Sequence, residues 1–349
     1  MIKINNIMSG AVKWGIIGLG NVAHEFANSF YNTKNAKLIA IASKSQNKLS
    51  KFKDSLNIDI NNCYNDYEKL LKNKEVDVVY IALPNSFHHE WVYKSLNYKK
   101  HILVEKPAFV SFLETENIFN HPNFKDFFLG EGYMFRYHPQ ITKIIEMLKN
   151  KEIGEIISLE SSFGKSLLKK KRLFGLFNSN KFDKKKRIFS KSLGGGAILD
   201  HGSYTVSMSL LIASLIDGIN IENFDLSENK KDKIEDVDVE SSVKLIFDKK
   251  FVAKISVSFK RDIGNSTIIN GEKGKILISN TWNPDEGEII LINEKKNFFK
   301  IKNEKNIYSS EIDEISNDIF DKRKEASFPG TKKKEILIGS KILDKWLNE

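Results

Sequence analysis

Cysteine, arginine and long apolar runs are scarce in this chain of 349 residues. The single cysteine, Cys63, excludes an intramolecular disulfide framework and a multi-cysteine metal site, which fits a reducing cytoplasm. No apolar run approaches the ~18 residues of a membrane span, and the start of the chain, MIKINN, does not resemble a signal peptide. Hydrophobic residues still make up 41% and aromatic residues 11%, so we expect folded cores.

The net charge of +10 has little arginine behind it. Arginine occurs only at positions 136, 172, 187, 261 and 323, so lysine carries almost all of the excess. Lys, Asn and Ile have AT-rich codons, and genome composition is therefore a sufficient cause. Proteins that read nucleic acids usually combine arginine forks with aromatic platforms. We therefore expect neither a nucleic-acid partner nor a membrane partner.

The length favours two domains, and the hydrophobic pattern changes between them. In the first third, short β-branched apolar runs alternate with amphipathic stretches, which predicts a parallel, doubly wound sheet. The predicted strands are Val12–Ile17, Leu38–Ala42, Val76–Leu83 and Ile102–Val104. The predicted helices lie near 22–31, 45–56, 66–73, 87–97 and 111–119.

The remaining two thirds have the pattern of a mostly antiparallel open sheet. A helix is predicted at 137–150, a strand at 155–163 and a helix at 203–215. Six further strands joined by tight turns are predicted between residues 239 and 302, and helices near 309–323 and 332–347 close the chain. The fold class is thus α/β, with an N-terminal domain built on a doubly wound parallel sheet at 11–123 and a second α/β domain at 124–349.

A glycine motif follows the first predicted strand. Gly18-Leu19-Gly20-Asn21-Val22-Ala23 has the form Gly-x-Gly-x-x-Ala. The first glycine permits a tight turn, the second lets a pyrophosphate approach the backbone, and the alanine allows close packing of helix on strand. Because the motif lies between a strand and a helix, it predicts a dinucleotide site at the helix N-terminus. The domain at 11–123 is therefore expected to be a Rossmann dinucleotide-binding domain.

The end of the second predicted strand indicates which dinucleotide binds. NAD is usually held there by an acidic residue on the ribose hydroxyls, whereas this chain has Ser43 and Lys44. A hydroxyl and an ammonium suit a 2′-phosphate, so we expect NADP, with NAD as the alternative. Ser43 can equally begin a turn, with Lys44 solvated.

Two more segments follow strands of the predicted parallel sheet, at the edge where such sheets bind ligands. One is Leu83-Pro84-Asn85-Ser86-Phe87-His88, and the other is Glu105-Lys106-Pro107. A lysine directly after a buried strand is partly desolvated, and a cis bond at Pro107 would aim its side chain.

These motifs, in this order, resemble the Gfo/Idh/MocA (glucose-fructose oxidoreductase/inositol dehydrogenase) family. Three later segments add to the resemblance, which covers essentially the whole chain: Glu131–Pro139, the glycine-rich Leu193–Asp200, and Asp200-His201-Gly202-Ser203-Tyr204. Tyrosine at 204 is most similar to the branch with glucose-fructose oxidoreductase, NADP-dependent xylose dehydrogenase and dimeric dihydrodiol dehydrogenase. His201 stands where many of those relatives have an aliphatic residue.

The resemblance implies an oxidoreductase that interconverts alcohols and ketones on sugars, polyols or related diols, and that forms a dimer or tetramer. It implies catalytic roles for Lys106, Tyr204 and Asp200. Substrate contacts are expected from Arg136, His201 and Asp200, although Arg136 can instead be structural. The expected cofactor-binding residues are Gly18, Gly20, Asn21, Val22, Ser43, Lys44, Leu83, Pro84, Asn85, His88, Glu105 and Lys106. No metal site is expected.

The chemistry of the residue types agrees with this implication. Hydride transfer from a carbinol carbon requires removal of the hydroxyl proton. Tyrosine has an unperturbed pKa of about 10, and a nearby ammonium favours the phenolate. Two alternatives stay open. The lysine-rich segment 165–191 is either a solvated loop or a loop that overhangs the substrate cleft and favours a nucleotide-linked or acidic sugar. A non-catalytic dinucleotide sensor on the same fold would need neither Lys106 nor Tyr204.

Overall fold

A computed structural model describes residues 10–56, 58–171, 178–180 and 186–349. The chain divides into two compact units. The first contains the residues up to Phe109, Leu113–Tyr137 and Glu304–Ile336, and the second contains Val110–Phe112, His138–Asn303 and Leu337–Glu349. This division differs from the domains 11–123 and 124–349 expected from the sequence, because the first unit continues to Tyr137 and includes a later segment.

The first unit is built on six parallel strands in the order β3-β2-β1-β4-β5-β6. This order is that of a doubly wound dinucleotide-binding sheet. The strands are β1 Val12–Ile17, β2 Ala36–Ala42, β3 Cys63–Tyr64, β4 Val78–Ile81, β5 His101–Glu105 and β6 Leu129–Gly132. The helices are α1 Asn21–Ser29, α2 Gln46–Leu56, α3 Tyr67–Lys72, α4 His88–Asn97, α5 Phe112–Phe119 and α8 Ile307–Phe320.

Burial explains why these runs form strands. All four residues of β4 are buried, and so are the three central residues of β5. Strands covered on both faces by helices are continuously apolar in this way. The indole of Trp14 in β1 donates to Ser316 Oγ of α8 at 3.0 Å, which attaches that late helix to the first unit. The predicted parallel sheet is therefore confirmed.

The second unit contains an eight-stranded sheet in the order β10-β11-β12-β7-β13-β14-β15-β16. Only the pair β12 and β7 is parallel among the described strands of this sheet. Its strands are β7 Ile156–Gly164, β10 Phe224–Ile234, β11 Val237–Phe247, β12 Phe251–Ser258, β13 Thr267–Gly271, β14 Gly274–Ile278, β15 Glu286–Ile292 and β16 Lys296–Lys302. The predicted mostly antiparallel sheet is confirmed.

Two helices pack against this second sheet. Every residue of α7, Ser203–Ala213, is buried, and the helix packs against β7 and β12. The other helices are α6 Pro139–Lys149 and α9 Lys333–Asn348. A separate two-stranded sheet pairs β8 Lys169–Lys171 with β9 Asn178–Asn180. Residues 172–177 and 181–185 of the lysine-rich segment 165–191 lie outside the described residues.

Candidate active site

Gly18 makes the turn that follows β1. Its φ is +91°, and a Cβ at this position would lie 2.5 Å from the carbonyl oxygen of Ala82. Only glycine fits both the backbone conformation and the space. The amide of Gly18 donates to Ala42 O at 3.0 Å, so the turn is tied to the end of β2.

Gly20 leaves the N-terminus of α1 open. A Cβ at Gly20 would meet no other atom of the described residues within 4 Å. Gly20 is also the N-cap of α1, and no described side chain caps this helix. Asn21 and Val22 in its first turn are exposed, whereas Ala23 is fully buried. A helix N-terminus without a side-chain cap beneath an uncrowded glycine is what a dinucleotide pyrophosphate requires, so the residues present fit that group.

Ser43 and Lys44 follow β2 directly. The hydroxyl of the buried Ser43 accepts a hydrogen bond from the Ser45 amide at 3.1 Å and keeps its own proton to donate. Lys44 is exposed, and its ammonium lies 5.6 Å from the centre of the Tyr67 ring. A hydroxyl and a cation next to the start of α2 suit a 2′-phosphate, and no carboxylate stands at residues 43–47 to hold ribose hydroxyls.

His88 connects two loops at the carboxyl edge of the first sheet. Its ring is fully buried, with Nε2 2.8 Å from the carbonyl oxygen of Leu83 and Nδ1 2.9 Å from that of Pro107. Because carbonyl oxygens only accept, both contacts are hydrogen bonds when both ring nitrogens carry protons. Pro84 is half-buried and Asn85 is buried in the same loop.

Glu105 and Lys106 stand at the end of β5. Glu105 is half-buried and accepts a hydrogen bond from the hydroxyl of Tyr80. Burial raises the pKa of Tyr80 well above its usual value, so this hydroxyl is a permanent donor. Lys106 is half-buried and precedes a cis peptide bond to Pro107, which confirms the cis bond considered from the sequence.

Glu131 of β6 is a site residue for which no individual role is predicted from the sequence. Its side chain is buried, and Oε1 accepts the amide proton of Ala108 at 2.8 Å. Burial raises the pKa of Glu131 to about 7, against the hydrogen bonds from Ala108 and Tyr133 that favour the carboxylate. The available signal was a lone acidic residue in the segment 127–135, where every other residue is apolar, aromatic or glycine.

Arg136 has a structural environment. Its guanidinium is fully buried and forms a two-pronged ion pair with Glu335, at 3.2 Å and 3.0 Å. It also donates to the carbonyl oxygen of Pro329 at 3.1 Å. A guanidinium enclosed in this way fits the structural alternative raised from the sequence rather than the expected substrate contact.

In the second unit, a single turn carries Asp200 and His201 into α7. Residues Ile198–Gly202 form a π-helical turn, and α7 begins at Ser203. Asp200 Oδ1 accepts from Arg187 Nη2 at 3.2 Å. The side chain of Asp200 is 13% exposed and that of Arg187 36% exposed, so this ion pair reaches the surface of the unit. Arg187 is a second residue for which no individual role is predicted from the sequence.

Aromatic rings surround His201 and Tyr204. The ring of His201 stacks on Phe163 at 3.8 Å, and its Nδ1 lies 3.2 Å from the Phe163 carbonyl oxygen. Tyr204 meets Phe163 edge-on at 5.3 Å and lies 5.7 Å from Trp282, measured between ring centres. Both rings are at least nine-tenths buried, so packing fixes their directions.

Asp238 of β11 holds the segment that leads into this turn. Its Oδ2 accepts the amide proton of Ile198 at 2.7 Å, and its carboxylate also accepts from the amide of Ala197. Burial raises the pKa of Asp238, and these backbone hydrogen bonds oppose the rise. Only a tertiary structure shows this contact, because 40 residues separate its partners.

Two features are absent from the part of the chain that the structure describes. No group of three or more His, Cys, Asp or Glu side chains there is placed to hold a metal ion. No helix there is both long and apolar enough to cross a membrane.

Comparison with known proteins gives consistent matches for both halves of the chain. The model of the oxidoreductase family with an NAD-binding Rossmann fold (GFO_IDH_MocA) matches residues 12–133, and that of the GFO/IDH/MocA C-terminal domain matches residues 141–277. The trans-1,2-dihydrobenzene-1,2-diol dehydrogenase of Xenopus tropicalis is 28% identical over 296 residues, 83% of this chain and 82% of that protein. The D-xylose 1-dehydrogenase (NADP(+)) 2 of Haloferax volcanii is 28% identical over 246 residues, 70% of this chain and 69% of that protein.

A solved structure agrees in fold over the same length. The 3-ketoreductase of Actinomadura kijaniata, crystallised with NADP and TDP-benzene, has a TM-score of 0.78 and 21% identity, with 96% of each chain covered. Family models that cover most of the chain determine its family. The chain therefore belongs to the GFO/IDH/MocA family of oxidoreductases, and its first unit contains the NAD-binding Rossmann fold.

Proposed function

We propose that the protein is an NADP-dependent dehydrogenase or reductase that acts on the carbinol or ketone carbon of a sugar, polyol or related diol. The observation that carries this proposal is the fit of the first unit to a dinucleotide: an open Gly20 above the uncapped start of α1. Lys106 stands at the carboxyl edge of the same sheet, where such sheets bind ligands. The names of the dihydrodiol and xylose dehydrogenases support the substrate class.

The first unit supplies the groups that would hold NADP. Ser43 and Lys44 are suited to the 2′-phosphate and the glycine turn to the pyrophosphate, while the loops after β4 and β5 would hold the nicotinamide end. When bound, the nicotinamide supplies or takes up the hydride. The proposed cofactor-binding residues are Gly18, Gly20, Asn21, Val22, Ser43, Lys44, Leu83, Pro84, Asn85, His88, Glu105 and Lys106.

The proton is assigned to Tyr204. In the oxidative direction its phenolate removes the proton from the substrate hydroxyl, and in reduction its hydroxyl returns it. Lys106 is proposed as the electrostatic partner whose ammonium favours the phenolate, because an unperturbed tyrosine pKa of about 10 is too high for a base at neutral pH. Asp200, fixed by Arg187, would orient substrate hydroxyls, and His201 would line the same site.

A substrate screen tests the proposal first. Sugars, cyclitols, diols and sugar nucleotides are incubated with NADP⁺ and with NAD⁺, and nicotinamide absorbance is followed. With the best substrate, Lys106→Ala and Tyr204→Phe are each expected to reduce kcat by about 10²–10⁴-fold, the usual contribution of an acid–base group. The Kd for NADPH should change little. Lys125→Ala and Tyr31→Phe alter exposed residues of the same types and should retain full activity. Full activity in Lys106→Ala or Tyr204→Phe contradicts the assigned roles.

A nucleotide-linked or acidic sugar is the second candidate substrate. It is favoured by the partly exposed guanidinium of Arg187 beside Asp200, since arginine pairs with carboxylates and phosphates. The discriminating measurement is kcat/KM for neutral and anionic substrates at rising salt concentration. A preference for anions that weakens with salt supports this candidate, and no charge preference contradicts it.

The dinucleotide-sensor alternative makes a different prediction. A sensor would bind NADPH tightly, and no alcohol or ketone in the screen would change the absorbance of the NADPH.

We also propose that the protein forms a homodimer or homotetramer and works in the cytoplasm on a small sugar-like molecule. Light scattering on the purified chain tests the oligomeric state.

A further inference from the structure

We propose that Glu131 and His88 are positioning residues for Lys106: together they hold both polar groups of the peptide unit that joins Pro107 to Ala108. The carbonyl oxygen of Pro107 lies 2.9 Å from His88 Nδ1. The amide of Ala108 donates to Glu131 Oε1 at 2.8 Å. These two groups belong to one peptide plane, so the two side chains hold the plane from both sides.

These two contacts lie just beyond the point where the pairing of β5 with β6 ends. Glu105 pairs with Gly132 and is the last residue of β5 in register with β6. Lys106 is the first residue beyond that pairing, and Pro107 and Ala108 after it are buried. Buried peptide groups beyond a strand need partners from elsewhere. Glu131 and His88 provide them one residue after Lys106.

The side chains of Glu131 and His88 are themselves held by further contacts. Glu131 lies in β6, opposite Val104 of β5, and also receives a hydrogen bond from the Tyr133 side chain. His88 begins α4, is fully buried, and contacts the Leu83 carbonyl oxygen with its other nitrogen. The peptide after Lys106 is thereby tied to the neighbouring strand and to the loop after β4.

This arrangement matters for a long side chain such as lysine. The direction of the Lys106 side chain follows from the backbone on which it stands, and a shift of about 1 Å in a reacting group can reduce turnover about 100-fold. The catalytic consequence rests on the function proposed for Lys106. The contacts of Glu131 and His88 with the peptide after Lys106 do not depend on that function.

Four variants separate positioning from general stability. Glu131→Ala removes the acceptor for the Ala108 amide, and Glu131→Gln retains an acceptor oxygen of the same reach. Glu131→Asp withdraws the acceptor by one methylene and replaces the alanine variant should that variant fail to fold. Glu116→Ala alters an exposed glutamate in α5 and is the matched control.

The first readout needs no substrate. Hydrogen exchange of the Ala108 amide is measured in the full-length protein with NADPH. Glu131→Ala, or Glu131→Asp, should accelerate exchange about tenfold or more, whereas Glu131→Gln and Glu116→Ala should resemble the wild type. Unchanged exchange in both Glu131→Ala and Glu131→Asp overturns the proposal.

The second readout divides kcat from binding. Glu131→Ala should reduce kcat about 100-fold with a nearly unchanged Kd for NADPH, and Glu131→Gln should restore most of the rate. A loss of NADPH affinity equal to the loss of kcat, or no rescue by glutamine, overturns the positioning role. Should Lys106→Ala prove fully active, the proposed function fails, and the hydrogen-exchange result alone then tests whether Glu131 holds the Ala108 amide.

Discussion

Replacement of Asp238 by alanine should loosen the segment that carries Asp200 and Tyr204. The carboxylate of Asp238 is buried and accepts the amides of Ala197 and Ile198, just before the π-helical turn. It fits there because residue 196 is glycine with φ +121°, and a Cβ at that position would overlap Asp238 Oδ1.

The expected loss of stability follows from those amides. In Asp238→Ala two buried N–H groups lose their acceptor, at about 1–3 kcal/mol each. Part of this loss is offset because a buried carboxylate no longer has to be desolvated. We therefore expect the free energy of unfolding to fall by about 2–4 kcal/mol. Asp238→Asn keeps one acceptor oxygen and should lose about half as much.

Urea unfolding of the full chain measures these differences. Asp236→Ala is the matched control, because Asp236 is exposed two residues away and should change stability by no more than about 0.5 kcal/mol. With an active substrate, Asp238→Ala should also lose kcat while retaining NADPH affinity. Equal stability of Asp238→Ala and Asp236→Ala would refute the reasoning.

Three further predictions follow from single contacts. Gly18→Ala should destabilise the protein because its Cβ would meet Ala82 O, whereas Gly20→Ala should unfold like the wild type yet lose NADPH binding in a fluorescence titration. Lys44→Ala should raise the KM for NADP⁺ about tenfold and leave that for NAD⁺ unchanged in steady-state assays. Burial lowers the pKa of His138 from 6.5 to about 4. The contribution of the neutral ring to the free energy of unfolding is therefore fully present above pH 6.5 and should be lost as the pH falls toward 4. Urea unfolding at pH 7 and pH 4 should show a decrease of about 3 kcal/mol from this group in the wild type, and His138→Asn should lack that decrease.

The apolar strands were predicted well because their pattern is local. Val12–Ile17 has the bounds expected from the sequence, and both sheets have the predicted character. Five described strands, β3, β6, β8, β9 and β10, have no predicted counterpart, and two of them show why. β6 reads Leu-Gly-Glu-Gly, which has little strand propensity and forms a strand because β5 offers a partner. β10 is mostly charged and polar and lies at the edge of its sheet.

The candidate site was predictable only in part. Short sequence motifs predict roles for the glycines of the first turn, for Lys106 and for Tyr204. Glu131 and Asp238 do not, because each acts on backbone amides far away in the chain or across a strand. Their one local signal is an acidic residue within an otherwise buried run, such as Asp238 between Val237 and Val239.

That signal has a physical meaning common to both units. Glu131 and Asp238 are each buried on a strand, and burial raises the pKa of both carboxyl groups, so their ionised forms cost free energy there. An apolar side chain at either position would avoid this cost but would leave buried backbone amides without an acceptor. What each carboxylate does instead is accept backbone amides beside a segment that bears a proposed catalytic residue. Positioning of Lys106 and Tyr204 is the role that we propose for these two carboxylates, in addition to their contribution to stability.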